Sequence, residues 1–306
     1  MQPPDGGPSD PLALSVDGRS VADYVWRPQI PGELAPRPYL HPVRTSSGTA
    51  VTELMPPDHR HHLGAGVAIP SINGVNFWGG RSYVRDHGPM LLDNHGSQHH
   101  VRWLQQAPDG LRQELAWVAR SGTVLISEHR TIAVRPYADD CWILTFGFTL
   151  TNVTQGPLTV RSPAVSGRDG AGYGGLFWRG VAAAGEVRAF SADADTGERM
   201  HGCAAPWVAF TGGQNGTDRP WTLVFAGADA RTRKDPWFIR ADDYFGVGSA
   251  LAWDRPLAVE PGEAISRRFN VAVADGVLTR KQAAASAAHL DEGPPGPFDR
   301  PVRGPS

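Results

Sequence analysis

The stretch Asp58-His59-Arg60-His61-His62 packs an acid, three imidazoles and a guanidinium into five consecutive residues. Histidine is the side chain whose ordinary pKa lies near neutrality, so such a run suits proton transfer and metal binding equally well. Asp58 could orient an imidazole, and Arg60 could bind a carboxylate or sugar hydroxyls. Pro56 and Pro57, just upstream, disfavour a helix, so the segment reads as a loop or the start of an irregular strand. If extended, it would point His59 and His61 to one face and His62 to the other. The plainer alternative is a set of structural imidazoles that hold a long loop by hydrogen bonds.

Other residues could complete such a site. His87 follows Arg85-Asp86 in a Gly-rich loop and is a second proton-transfer candidate. Glu128 and Arg130 fall in mid-strand and share one face. They form either a buried ion pair or part of a concave sheet on which Glu128 serves as general acid or base. Trp78, Trp178, Trp207 and Trp237 stand near Gly, Pro or Arg, where a ring could stack on a sugar or simply fill a core. His41, His95, His99, His100, His129 and His201 lie in or beside strand segments and read as structural. The familiar alternatives are missing from the sequence: no Gly-rich phosphate loop before a helix, no Gly-x-Ser-x-Gly elbow, no Cys-x-x-Cys pair and no His-Glu-x-x-His helix. His59-Arg60-His61 begins a cupin-like metal pattern, but Leu63-Gly64-Ala65-Gly66 supplies no carboxylate. A transition metal on His59, His61 and His62 therefore stays open as an alternative, with no cofactor favoured.

The elements that must position these residues are short. The 306 residues include 36 Gly and 27 Pro, which break helices and build turns. Between them lie runs that alternate apolar and polar residues, the period of a half-buried strand. Leu12–Val16 and Val21–Trp26 flank the hairpin signal Asp17-Gly18. Tyr39–Arg44 and Ala50–Leu54 flank Ser46-Ser47-Gly48. His99–Gln105, Leu111–Ala119, Thr123–Arg135 and Trp142–Asn152, leading to Leu158–Arg161, read as an antiparallel meander. Gly175–Arg179, Trp207–Thr211, Trp221–Ala226, Trp237–Arg240, Leu257–Val259 and Ile265–Val273 complete the strands. The one convincing helix is Thr279–His289, with Thr279 as N-cap. Many strands and a single C-terminal helix predict an all-β, antiparallel sandwich. The expected organisation is one domain over residues 11–291, with residues 1–10 and 292–306 as disordered tails.

Charge bounds the partners. The 29 basic and 31 acidic residues give a net charge of -2 with no basic block. That argues against a nucleic-acid surface and leaves no polybasic handle for a membrane. A small molecule is the expected partner. Cys141 and Cys203 read as two buried, reduced thiols rather than a disulfide framework. No secretory signal or membrane-spanning run is present, so the expected location is the cytoplasm.

Three motifs carry a resemblance. They are Pro38-Tyr39-x-x-Pro42-x-Arg44-Thr45, Asp58-His59-x-His61-His62-x-Gly64 and Asn73-Gly74-x-x-Phe77-Trp78. Weaker matches follow at Glu128-x-Arg130, Leu176 with Arg179, Ala205-Pro206-Trp207, and Pro261-Gly262-Glu263. In these the chain, from about Arg37 to Gly276, resembles the bacterial "PmoA family", soluble β-sandwich proteins of the DUF6807 type. The resemblance implies a large sandwich similar to that of sugar mutarotases, and an association with carbohydrate chemistry. Together these readings predict a carbohydrate-active enzyme that carries out hydrolysis, elimination or epimerisation. His59, His61 or His62 would move a proton, with Glu128 as its complement and His87 in reserve. Arg44, Arg60 and Arg130 would anchor the ligand, and Asp58, Trp78, Arg179 and Trp207 would contact it. A non-catalytic small-molecule binder is the remaining alternative.

Overall fold

The computed structural model describes residues 10–181, 187–213, 219–241 and 243–292. The tails expected to be disordered lie outside the described residues, apart from Asp10 and Glu292. Two antiparallel sheets dominate. The seven-stranded sheet runs Leu12–Val16, Arg19–Val25, Tyr39–Val43, Ala65–Ala68, Gly175–Arg179, Gly246–Ser249, Trp237–Arg240. The eight-stranded sheet runs Arg188–Ser191, Trp207–Gly213, Pro220–Gly227, Ala264–Asp275, Cys141–Asn152, Val124–Ala138, Gly110–Val118, Ser97–Ala107. The expected all-β sandwich is therefore what forms.

The meander holds for four segments, from Ser97 to Asn152, which are consecutive neighbours in the eight-stranded sheet. Leu158–Arg161 leaves it to pair with Leu257–Val259 and Ser71–Ile72 in a small separate sheet. The Asp17-Gly18 hairpin forms, with both residues at positive φ (50° and 77°) as a two-residue turn requires. Ala50–Leu54 is not a strand and makes only isolated bridges at Ala50 and Leu54. The helix spans Arg280–Glu292, one residue after its expected start. Thr279 Oγ1 accepts from Gln282 N at 3.3 Å while Gln282 Oε1 accepts from Thr279 N at 2.9 Å, a reciprocal cap. A four-residue helix, Gly197–Met200, was not expected. No helix among the described residues is long and apolar enough to cross a membrane.

Alternation assigns the faces. Val67, Leu176, Trp178, Trp237, Ile239 and Val247 point from the seven-stranded sheet into the main core. They meet Phe146, Leu223, Phe225, Phe269 and Val271 of the other sheet, with Trp178 edge-on to Phe225 at 5.4 Å. Burying each such side chain is worth about 1.5–3 kcal/mol. The helix covers the outer face of the eight-stranded sheet, where Ala283, Ala287 and Leu290 pack with Phe190, Trp207 and Ala209. Trp207 is thus committed to packing under a helix and is no ligand contact. Trp178 and Trp237 are core residues too. Cys141 is buried as expected, but Cys203 is exposed; both are free thiols.

Glu128 and Arg130 also belong to this core. Both side chains have 0% exposure. Arg130 donates to Glu128 through Nε (2.7 Å) and Nη2 (2.9 Å), and to Pro38 O, Tyr24 Oη and Gln98 Oε1. Trp117 Nε1 donates to Glu128 Oε2 at 2.8 Å. The shared inward face is the buried interior between the sheets, not an open concavity. Every atom of the pair is spoken for, so neither residue serves as catalyst or ligand anchor.

Candidate functional site

On its outer face the seven-stranded sheet presents Ala68, Phe177 and Phe238, which pack with Trp78 and with Tyr173, Tyr244 and Trp253 as a separate aromatic cluster. Above it opens a cleft of about 700 Å³. Asp58, His59, His61, His62, Trp78, Arg168, Tyr173, Arg240 and Tyr244 are among its lining residues. A smaller space of about 180 Å³ shares Trp78, Arg81 and Tyr173 with it.

The histidine loop reaches this cleft by two successive turns. His59 N donates to Pro56 O at 2.9 Å, and His62 N donates to His59 O at 2.8 Å. The chain is therefore coiled, not extended, and the expected split of the rings to opposite faces does not occur. All three rings gather instead. His59 stacks on His62 (centroids 4.6 Å, 26° between planes), and His61 meets His62 edge-on at 4.6 Å. Stacked rings send their in-plane lone pairs along nearly parallel lines, so these two cannot converge on one metal ion. Among the described residues no group of three or more His, Cys, Asp or Glu side chains is placed to hold one.

Neighbouring segments fix the loop. Arg37, buried, donates to His61 O at 2.7 Å and to the carbonyls of Leu34 and Ala35. Gly79 (φ 94°) and Gly80 (φ 67°) lie against His61; a Cβ on Gly80 would come within 2.8 Å of His61 Nδ1. Asn76 shapes that glycine turn by accepting from the amides of Trp78 and Gly79, both at 2.8 Å.

The three imidazoles differ. His61 is pulled from its ordinary 6.5 to about 3, first by burial and then by the Arg37 guanidinium. Burial, then the neighbouring His61, also holds His62 well below the usual range. Both are neutral at pH 7. His59 is more open, and its Nδ1 lies 2.7 Å from Asp58 Oδ2. That hydrogen bond is the main cause that draws the Asp58 carboxyl below its ordinary value. An ionised carboxylate only accepts, so His59 Nδ1 carries the proton and Nε2 is left as the basic atom.

Opposite strands supply the cations. Arg179 and Arg240 both pair with Gly246, one from each side. Adjacent strands lie roughly 4.8 Å apart, so the two arginines flank a gap that glycine leaves open. Tyr244 fills it: a Cβ on Gly246 would lie 2.7 Å from its ring. Arg179 packs over the Tyr244 ring at 4.3 Å and donates from Nε to Glu53 Oε2 at 2.9 Å. Tyr244 also faces His59 (5.1 Å) and His62 (5.5 Å). Burial pushes its phenol up to about 12, although Arg240, Arg179 and Arg168 all pull the other way. Two buried polar atoms here have no hydrogen-bond partner, His62 Nδ1 and Arg179 Nη1.

The sequence candidates separate accordingly. Asp58, His59, His61, His62 and Trp78 line the cleft, and Arg179 lies beside it. Arg60 is exposed and does not line it. His87 sits exposed at the turn between Ser82–Val84 and Gly88–Met90, outside the cleft lining. Arg44 is taken by Asp23 at 3.1 Å, away from the cleft. His201 is structural: Nε2 donates to Gly170 O at 2.7 Å and Nδ1 accepts from Ile239 N at 3.1 Å. Sequence reading missed Arg168, Tyr173, Arg240 and Tyr244. Strand alternation alone could have put Arg240 on the face of Phe238.

The chain belongs to a family of unknown function, DUF6807, whose pattern matches residues 11–288. No curated protein matches it. Among solved structures, a putative aldose 1-epimerase from Escherichia coli K12 is similar at a TM-score of 0.40 and 13% identity, over 88% of this chain and 99% of that one. A family 36 α-galactosidase from Geobacillus stearothermophilus, solved with stachyose, has a TM-score of 0.40 and 10% identity, over 95% of this chain and 44% of that one. A family 97 glycoside hydrolase from Pseudoalteromonas sp. strain K8, solved with acarbose, has a TM-score of 0.36 and 10% identity, over 87% and 35%. The chain spans less than half the length of these two glycosidases. The fold assignment rests on the sheets themselves.

Proposed function

We propose that the cleft is the active site of a carbohydrate-active enzyme in which His59, oriented by Asp58, moves a proton at a hydroxyl or a C–H of a sugar. The observation that carries this is the 2.7 Å Asp58–His59 contact beside two neutral imidazoles in an aromatic-walled cleft. A carboxylate that fixes one imidazole nitrogen and leaves the other basic is the arrangement general acid–base chemistry needs. His61 and His62, held neutral, pack around His59 without adding charge. Tyr244, with its pKa raised, keeps its proton and is a hydrogen-bond donor rather than a base. Aromatic rings suit the apolar faces of sugars. The adjoining smaller space across Trp78 and Tyr173 gives length for more than one ring. The sugar association that the family resemblance implies agrees with this.

The test is product analysis of the protein with a panel of neutral, acidic and oxidised oligosaccharides, beside His59→Ala and Asp58→Asn. Turnover by the wild type that falls about 10²–10⁴-fold in both variants supports the reading. Saturable sugar binding with no product from any substrate would make the chain a binding protein. Turnover unchanged by His59→Ala would sink the assignment of the proton-moving group.

A further inference from the structure

The basic side of the cleft has no role in moving a proton, and it is incompletely paired. Arg168, Arg240 and Arg81 line the cleft. Their hydrogen bonds go to neutral groups: Arg168 to Tyr173 Oη (3.5 Å), Arg240 to Ile239 O (2.9 Å), the His201 ring (3.2 Å) and Gly170 O (3.4 Å), and Arg81 to Pro89 O (3.4 Å). None of the three has an ion-pair partner among the described residues. Arg179 has Glu53 on Nε, yet its buried Nη1 is unpartnered. Two carboxylates line the same cleft: Asp58 is engaged by His59, and Asp243 is exposed. Arg179 packs over the Tyr244 ring at 4.3 Å, and Arg168 and Arg240 line the same cleft as that ring.

A neutral sugar needs none of this. Hydroxyls are served by amides, carbonyls and single charges, and an unpaired buried guanidinium nitrogen is costly unless something it binds offsets the cost. Guanidinium forks match planar or tetrahedral oxyanions. Resting on the sugar reading above, we infer that Arg168, Arg179 and Arg240 around Tyr244 form an oxyanion subsite, so the ligand is an acidic sugar. The oxyanion is a uronate carboxylate or a phosphate or sulfate ester. Arg168 and Arg240 make the reach into the cleft, and Arg179 backs them from beneath Tyr244.

The experiment titrates the full chain with matched pairs: methyl glucoside and methyl glucuronide, methyl galactoside and methyl galacturonide, glucose and glucose 6-phosphate. Inorganic phosphate and acetate are run alone. At least one acidic member should bind about 10-fold or more tightly than its neutral partner, the scale of one charge-assisted hydrogen bond. Which acid wins separates carboxylate from phosphate. Arg168→Gln with Arg240→Gln should erase the preference for the acidic partner. Arg168→Gln alone, at an exposed position, should reduce the preference should the double variant fail to fold. Equal binding of acid and neutral partners, or a preference that survives both variants, overturns the subsite and leaves the sugar reading intact. If no sugar binds but phosphate or acetate is held in an Arg168- and Arg240-dependent way, the sugar reading fails and the subsite stands. If those anions are not held either, the subsite falls as well.

Discussion

Two arginine–carboxylate pairs, one on each sheet, use the same chemistry to opposite ends. Arg130 and Glu128, at 0% exposure, satisfy each other and recruit Trp117, Tyr24, Gln98 and a backbone carbonyl until no donor is left over. Arg179, at 3% side-chain exposure, is nearly as buried, but Glu53 is 27% exposed and one guanidinium nitrogen has no partner. Saturated polar networks hold a core in one arrangement. The one beside the cleft and the stacked tyrosine leaves a buried donor unsatisfied. Completeness of hydrogen bonding, more than burial or charge, is what distinguishes the two arginines.

The core pair is the more costly of the two to disturb. Glu128→Leu or Arg130→Met alone should cost about 3–5 kcal/mol, because each leaves an uncompensated buried charge. The two together should cost less than either, measured by chemical denaturation. A single variant that unfolds like the wild type would show that the core pair is not the linchpin described.

Gly80→Ala should cost about 1–3 kcal/mol through its positive φ, and it should displace His61. Its melting temperature and turnover should fall together.

Acid should then expose the cleft. His61, at about 3 in the folded chain against 6.5 unfolded, binds fewer protons when folded. Stability is therefore full above pH 6.5 and falls between about pH 6.5 and 3, by up to about 1.4 kcal/mol per pH unit. His61→Gln should flatten that part of a pH–stability curve; an unchanged slope would contradict a buried, neutral His61.

At the rim, Glu53→Gln should cost about 1 kcal/mol or less, as partly exposed pairs do. His59→Ala should leave stability within about 0.5 kcal/mol while removing most turnover.

The histidine loop was legible because its chemistry is dense in sequence, and the long strands because their alternation is regular. Gly246–Ser249 and Ala65–Ala68 were not, since glycine and alanine carry no strand signal. Gly248 is excluded from having a side chain by Leu176 O, which a Cβ would approach to 2.7 Å. Glu128 illustrates the harder limit. Its inward orientation was readable, but whether inward meant cleft or core depended on a second sheet packing over it. Arg168, Arg240 and Tyr244 lie more than a hundred residues from His59, and only the folded chain gathers them, Arg240 through the cross-strand register at Gly246 and Arg168 from a loop, to line one cleft. The coiling of residues 56–62 was obscured because turn hydrogen bonds, not a periodic pattern, set it.

The eight-stranded sheet ends on Ser97–Ala107, an eleven-residue strand with no strand beyond it among the described residues, although Gln98 N donates to Pro36 O at 2.8 Å. Its register slips twice, between His100 and Arg102 and between Trp103 and Gln105. Each slip kinks the row of free amides and carbonyls, so another chain's strand could align with it only over short stretches. Such interruptions are how open β-proteins avoid joining rim to rim. The same irregularity that makes this strand a poor ladder also makes it a poor template for a strand of another chain.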